Sequence, residues 1–174
     1  GCPVLTWQPN CTNFRAAFTT VLERMKPDII WVVAWEPNFF VYSNSQLRNQ
    51  VTTSVKLLRA HTKQLVIDGQ SDYHGFTVDP KQETIRRLQL GQTDFSDMQL
   101  SREKHNELHA SEWSMMRSLE SSTLTFNNVA DQFCESDYCP FYNPRNLHQY
   151  YGDRSGHMNQ EGLDRLRPGY EEIA

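Results

Sequence analysis

The run Asp28-Ile-Ile-Trp-Val-Val-Ala-Trp35 constrains this chain more than any other stretch. It is short, apolar without alternation, and rich in β-branched and aromatic side chains. A strand with one wet face alternates with a period of two. A run that does not alternate predicts a strand covered on both faces, as in a parallel sheet between helical layers. What precedes it agrees. Phe14, Ala17, Phe18, Val21, Leu22 and Met25 recur at helical spacing, Asn13 is placed to cap that helix, and Lys26-Pro27 ends it. A helix, a proline turn and a buried strand in that order are the phrasing of an α/β fold.

The pattern continues along the chain. Residues 45–61 carry Leu47, Val51, Val55 and Leu58 on one stripe, which predicts a second amphipathic helix. Gln64-Leu-Val-Ile-Asp68 predicts a second buried strand, followed by a loop over 69–75. Residues 80–90 predict a short helix broken by Gly91. Residues 101–119 predict a long one, opened by the near-capping pattern Ser101-Arg-Glu-Lys, with an imperfect stripe of Leu108, Trp113, Met115, Met116 and Leu119 and a solvated charged face. His105 and His109 lie four apart on this helix and fall short of a metal site without a third ligand. Residues 122–126 predict a third strand, 127–146 a loop, and 162–173 a closing helix that Pro168 limits or bends. The expected fold is a three-layer α/β sandwich with a mostly parallel sheet, one domain over residues 1–174.

Charge and cysteine placement narrow the function classes. A formal net charge of −4 without any Lys/Arg cluster argues against nucleic acid or an anionic membrane surface as partner. No apolar run is long enough to span a bilayer and nothing at the start reads as a signal peptide. Gly1 is not a natural start, so the chain reads as a segment of a larger one. The four cysteines fall in two local pairs, Cys2 with Cys11 and Cys134 with Cys139. Neither pair is Cys-x-x-Cys and no histidine lies at finger-like spacing, so a structural zinc site is not expected. Two short disulfides formed in an extracytoplasmic compartment fit better; a reduced, buried pair is the alternative.

The chemistry concentrates in Tyr150-Tyr-Gly-Asp-Arg-Ser-Gly-His-Met-Asn-Gln-Glu-Gly162. Asp153 and His157 share a short loop rich in Gly and Ser, and a helix-like segment follows at once. An imidazole at the mouth of a helix, with a carboxylate close enough to orient it, is the usual general base for a hydroxyl nucleophile. The bland alternative is a surface loop in which Asp153 and Asn159 only cap turns.

Phe133-Cys-Glu-Ser-Asp-Tyr-Cys-Pro140, then Asn146-Leu-His-Gln-Tyr-Tyr-Gly-Asp153 and His157-Met-Asn-Gln-Glu-Gly162, resembles the SGNH hydrolase superfamily. Within it, the likeness is to the C-terminal SGNH domain of the multi-pass membrane acyltransferases (acyltransferase family 3). The Lys26-Pro-Asp28 segment before a strand resembles the same group. The resemblance implies a flavodoxin-like sheet, with His157 as base and Asp153 as its orienting partner. Three residues separate that pair here where the group has two, so His157 is the firmer assignment. Gly69-Gln-Ser-Asp72 stands where the superfamily carries a Gly-x-Asn-Asp block; the asparagine position is not Asn, and the resemblance makes the neighbouring Gln70 amide, with Gly69, the oxyanion candidate.

The superfamily's nucleophile is a serine in a Gly-Asp-Ser or Gly-Asn-Ser block at the end of the first strand, and these residues contain no such block. The resemblance therefore implies that the first strand is missing here and that the serine is supplied upstream. The implied activity is O-acyl transfer or ester hydrolysis on a hydroxyl-bearing acceptor such as a glycan, on the extracytoplasmic side of a membrane. The partners are an acyl donor, the acceptor and an upstream membrane acyltransferase domain, with no cofactor and no metal. One competing reading is a catalytically inactive binding or scaffold domain of the same fold, using loop residues such as Trp35, Glu36, Asn38 and Phe39. Another is a zinc hydrolase using His157, His148 and Asp153, ranked last because these ligands occupy one loop.

Overall fold

The computed structural model describes residues 4–5, 11–33, 45–69, 79–152 and 157–173. In chain order its elements are α1 (Thr12–Met25), β1 (Ile29–Val32), α2 (Ser45–Arg59), β2 (Gln64–Asp68), α3 (Pro80–Gln89), a 3₁₀ turn (Ser96–Met98), β3 (Leu100–Ser101), α4 (Arg102–Arg117), β4 (Leu124–Asn127), α5 (Val129–Phe133), β5 (Tyr138–Cys139) and α6 (Gln160–Ile173). They form two compact units: Gly1–Gly69 with His109–Asn127, and Gln70–Leu108 with Asn128–Ala174.

The first unit is a parallel three-stranded sheet with flanking helices, the mixed α/β architecture expected. β1 pairs with β2 (Ile30 opposite Leu65) and β2 with β4 (Leu65 opposite Leu124, Asp68 opposite Asn127), giving the order β1-β2-β4. Leu22 of α1, Val51, Val55 and Leu58 of α2, and Met115 and Met116 of α4 close on Leu65, Ile67 and Leu124 of the sheet. β2 spans the residues expected of it and is buried from Leu65 to Asp68. β1 differs. Ile29 is 50% exposed, and Ile30 and Trp31 are only partly covered, so burial on both faces is reached at Val32 alone. The apolar run reported strand character correctly but not depth: β1 is one of the two outer strands of the three described, and it is less covered than β4 at the other edge. Residues 34–39 lie outside the described residues.

Two helix details also depart from expectation. α1 starts one residue before Asn13, with Cys11 at the cap position and no side-chain cap. Cys11 is disulfide-bonded, which fixes the entry to the helix covalently; Cys2 lies outside the described residues. α4 keeps the solvated charged face expected of it, with Glu103, Lys104, Glu107 and Arg117 exposed, but its buried face is not wholly apolar. His105, His109 and Glu112 are buried, whereas Leu108 of the anticipated stripe is 41% exposed. Periodicity counts apolar residues and is blind to polar ones buried in pairs.

In the second unit, Asp79 caps α3 by accepting from the N–H groups of Lys81 (2.9 Å) and Gln82 (3.1 Å), with Pro80 in the first turn. Gly91 (φ 73°) follows the helix in the left-handed region that suits glycine. Ser101 serves α4 as expected, accepting from Lys104 N–H at 3.2 Å. Residues 127–146, expected as loop, instead hold α5 and the two-residue β5, which pairs antiparallel with β3. Both are too short for a periodic signal. The core of this unit is aromatic: Phe95, Phe133, Phe141, Tyr150 and Tyr151 pack with Val129 and Leu166. α6 begins at Gln160 and passes through Pro168 to Ile173. Opposite it, a Cβ on Gly169 would stand 2.1 Å from the end of the Gln132 side chain, which would have to move to admit any other residue there.

Candidate functional site

His157 is held by its backbone. Its carbonyl accepts from Gly152 N–H at 2.7 Å, Tyr151 and Met158 form an antiparallel bridge, and Asn159 N–H donates to the Tyr150 carbonyl at 2.9 Å. Asn159 then ties the turn to the helix: its amide donates to the Gln149 carbonyl at 2.6 Å, and its side-chain oxygen accepts from Gly162 N–H at 3.2 Å. Gly162 is required here, since a Cβ would lie 2.6 Å from the Tyr150 carbonyl. Beneath the turn, Tyr150 and Tyr151 are buried, with the Phe133 ring edge-on to Tyr150 at 5.1 Å. Burial pushes the Tyr150 phenol up from its ordinary value. Arg165 stacks over both the Phe133 and Tyr150 rings and donates to the Phe133 carbonyl at 2.7 Å. Both ends of the turn are hydrogen-bonded, and His157 is exposed. Asp153 lies outside the described residues.

The segments flanking this turn wall a groove of about 440 Å³, lined by Thr84, Leu147, His148, Gln149, Asn159, Gln160 and Glu161. Glu161 accepts from the Asn143 amide at 2.6 Å and the Asn146 amide at 3.3 Å, with His148 Nδ1 at 3.7 Å. The two amides, then His148, hold its carboxyl below the usual carboxylate range. Leu147 adopts φ 60°, a conformation branched side chains rarely take. Asn143 maintains it, its carbonyl accepting from Leu147 N–H at 2.8 Å. The groove thus offers amide donors and acceptors, an ionised carboxylate and one apolar wall, which is chemistry suited to hydroxyl groups.

At the carboxyl end of the parallel sheet, the first unit holds a second polar cluster. One Asp68 carboxylate oxygen accepts from Trp31 Nε1–H and from the Asn127 amide, each at 2.8 Å. Asp68 and Asn127 are buried and opposite one another on β2 and β4. Gly69 follows directly, and its N–H donates to the Asn127 carbonyl at 2.8 Å. That N–H extends the sheet ladder at the position where the resemblance aligns the start of the Gly-x-Asn-Asp block. A Cβ on Gly69 would lie 2.8 Å from the Phe126 ring. Gln70, the other oxyanion candidate, and His74 lie outside the described residues. Asp68 and Asn127 were not singled out from sequence; the only signal was a polar residue closing each apolar strand.

Two further features escaped sequence reasoning. His109 and Glu112 form a buried pair, Nδ1 to Oε2 3.2 Å, with His109 stacked on Trp113. His105 lies beside Cys134 and Cys139, which are joined by the disulfide the sequence suggested.

A family model of SGNH domains fused to AT3 domains matches residues 1–172. No curated protein and no solved structure matches the chain.

Proposed function

Because the chain belongs to the family of SGNH domains fused to AT3 domains, a domain type of hydrolases and acyltransferases, we propose that it transfers or hydrolyses O-linked acyl groups on a hydroxyl-bearing acceptor such as a glycan, with His157 as general base. The observation that carries this reading is the clamping of His157 between Gly152, the Tyr151–Met158 bridge and α6. A base must hold its position while the nucleophile approaches, and both ends of its turn are hydrogen-bonded.

In the first half-reaction His157 takes the proton of a serine hydroxyl as its oxygen attacks the acyl carbonyl. The tetrahedral oxyanion collapses, the donor's alkoxide leaves with that proton, and an acyl-serine remains. In the second, the acceptor hydroxyl or water gives its proton to His157 and attacks the ester, and the serine leaves with the proton. Asp153 orients the imidazole. The serine comes from residues preceding Gly1, since no Gly-Asp-Ser or Gly-Asn-Ser block occurs in the chain. The polar groove beside the His157 turn receives the acceptor. The Cys134–Cys139 disulfide supports an extracytoplasmic location for the domain.

A serine-directed phosphonate probe tests this assignment on the parent chain. It should modify one serine upstream of Gly1, and His157→Ala should suppress that modification. Modification of a serine within residues 1–174, or a rate indifferent to His157, would refute it.

A further inference from the structure

We propose that Cys134 and Cys139, once reduced, form with His105 a binding site for a thiophilic divalent cation of the zinc class. The two sulfurs and a ring nitrogen of His105 all lie within 4.8 Å of one another. Four residues separate the cysteines, a spacing found in zinc sites. The histidine arrives from α4, far away in sequence, so no finger-like pattern announces it.

Each ligand stands on an anchored element. Cys134 closes α5, its N–H donating to the Ala130 carbonyl at 2.8 Å, and Cys139 lies on β5 opposite Leu100. The loop between them is held by Glu135 N–H donating to the Tyr138 carbonyl at 2.8 Å, and Arg102 N–H at the start of α4 donates to the Asp137 carbonyl at 2.9 Å. The same ladder thus fixes the base of the helix that carries His105. His105 and Cys139 are fully buried, and Cys134 is partly open to solvent. A cation there would take three protein ligands and one water, the water on the Cys134 side.

The electrons balance with a dithiol as reductant. The dithiol gives two electrons to the Cys134–Cys139 bond and closes to its own disulfide, leaving two protein thiols. The cation then displaces both thiol protons to solvent. The freed sulfurs can separate to the roughly 3.8 Å expected of two tetrahedral thiolates about 2.3 Å from zinc. The pair is therefore either a covalent bond or half of a metal site, never both at once.

The test uses the full chain, reduced anaerobically with a dithiol and titrated with zinc or cobalt. Zinc should protect Cys134 and Cys139 from alkylation, read cysteine by cysteine in mapped peptides so that Cys2 and Cys11 are scored separately. Cobalt should give thiolate charge-transfer and tetrahedral d–d bands, and the oxidised chain should give neither. His105→Gln should weaken cobalt binding by at least about tenfold. X-ray absorption of the zinc-loaded wild-type chain should show two sulfurs and one imidazole, a readout that does not depend on any variant folding. Absence of protection at Cys134 and Cys139, or a two-sulfur site without imidazole, would overturn the proposal.

Discussion

In the first unit the middle strand β2 is covered by aliphatic side chains from three helices, and two parallel ladders run its length. Among its described residues the second unit has the two-residue strands β3 and β5, and five aromatic rings dominate its core, packed with Val129 and Leu166. Directional contacts supplement that core: a disulfide, the Arg165–Glu135 pair, the Glu83–Arg86–Arg87–Asp97 network, and Asn143 and Asn146 on Glu161. Repetitive structure fills space and tolerates variation. Irregular structure needs a specific partner for each turn, and that specificity is what holds the His157 backbone in place. The contrast explains why the anchored His157 turn belongs to the less regular unit.

The largest expected effect attacks the regular unit. Leu65→Ala in β2 removes a fully buried side chain from the centre of the sheet and should cost about 2–5 kcal/mol. Urea melts in wild-type and in Cys134→Ala/Cys139→Ala backgrounds should show the same loss, since the ladders and core of this sheet do not include that disulfide. Next comes the staple of the irregular unit. Replacing both Cys134 and Cys139 by Ala opens a short loop and should cost about 2 kcal/mol on the chain-entropy argument. Hydrogen exchange should speed up at Tyr150 and Tyr151 but not at Leu65–Ile67. Uniform loss of protection would erase the distinction drawn between the units.

A smaller effect is expected at the sheet's carboxyl edge. Trp31→Phe keeps most of the ring but deletes the N–H that reaches Asp68, and about 1–3 kcal/mol should follow from the lost hydrogen bond to a buried carboxylate. Asn127→Ala in the same background should then add less than it does alone, because both residues serve one oxygen.

The mildest effect is a pH dependence. Arg86 and then Arg87 hold the Glu83 carboxyl down from 4.5 to about 2. A group whose folded value lies below its unfolded one stabilises the fold above the unfolded value and loses that contribution as pH falls towards the folded value. Stability of the second unit should therefore decline between about pH 4.5 and pH 2, and Glu83→Gln should flatten that part of the curve. An unchanged acid limb in Glu83→Gln would show the network to be decorative.

The two units were also unequally legible from sequence. α2 and β2 begin where their patterns begin, because burial of a stripe or a run leaves a periodic trace. α5 and β5 left none. They are fixed by contacts between residues far apart in the chain, such as Arg102 with the Ala130 carbonyl. Of the site, the disulfide and the approach to α6 were readable from local spacing. Asp68 and Asn127 were not, since their meeting depends on strand register, nor was His105, whose neighbours arrive from 29 and 34 residues away.

The most direct test of the central claim is turnover of an acyl ester by the parent chain carrying His157→Ala, with thermal melts confirming that it folds. The account predicts a fall in kcat of about 10²–10⁴ with KM little changed, because the imidazole acts on the reacting proton and not on binding. Asp153→Ala should fall less. A His157→Ala enzyme turning over at the wild-type rate would contradict the account and leave the clamped turn as no more than the start of α6.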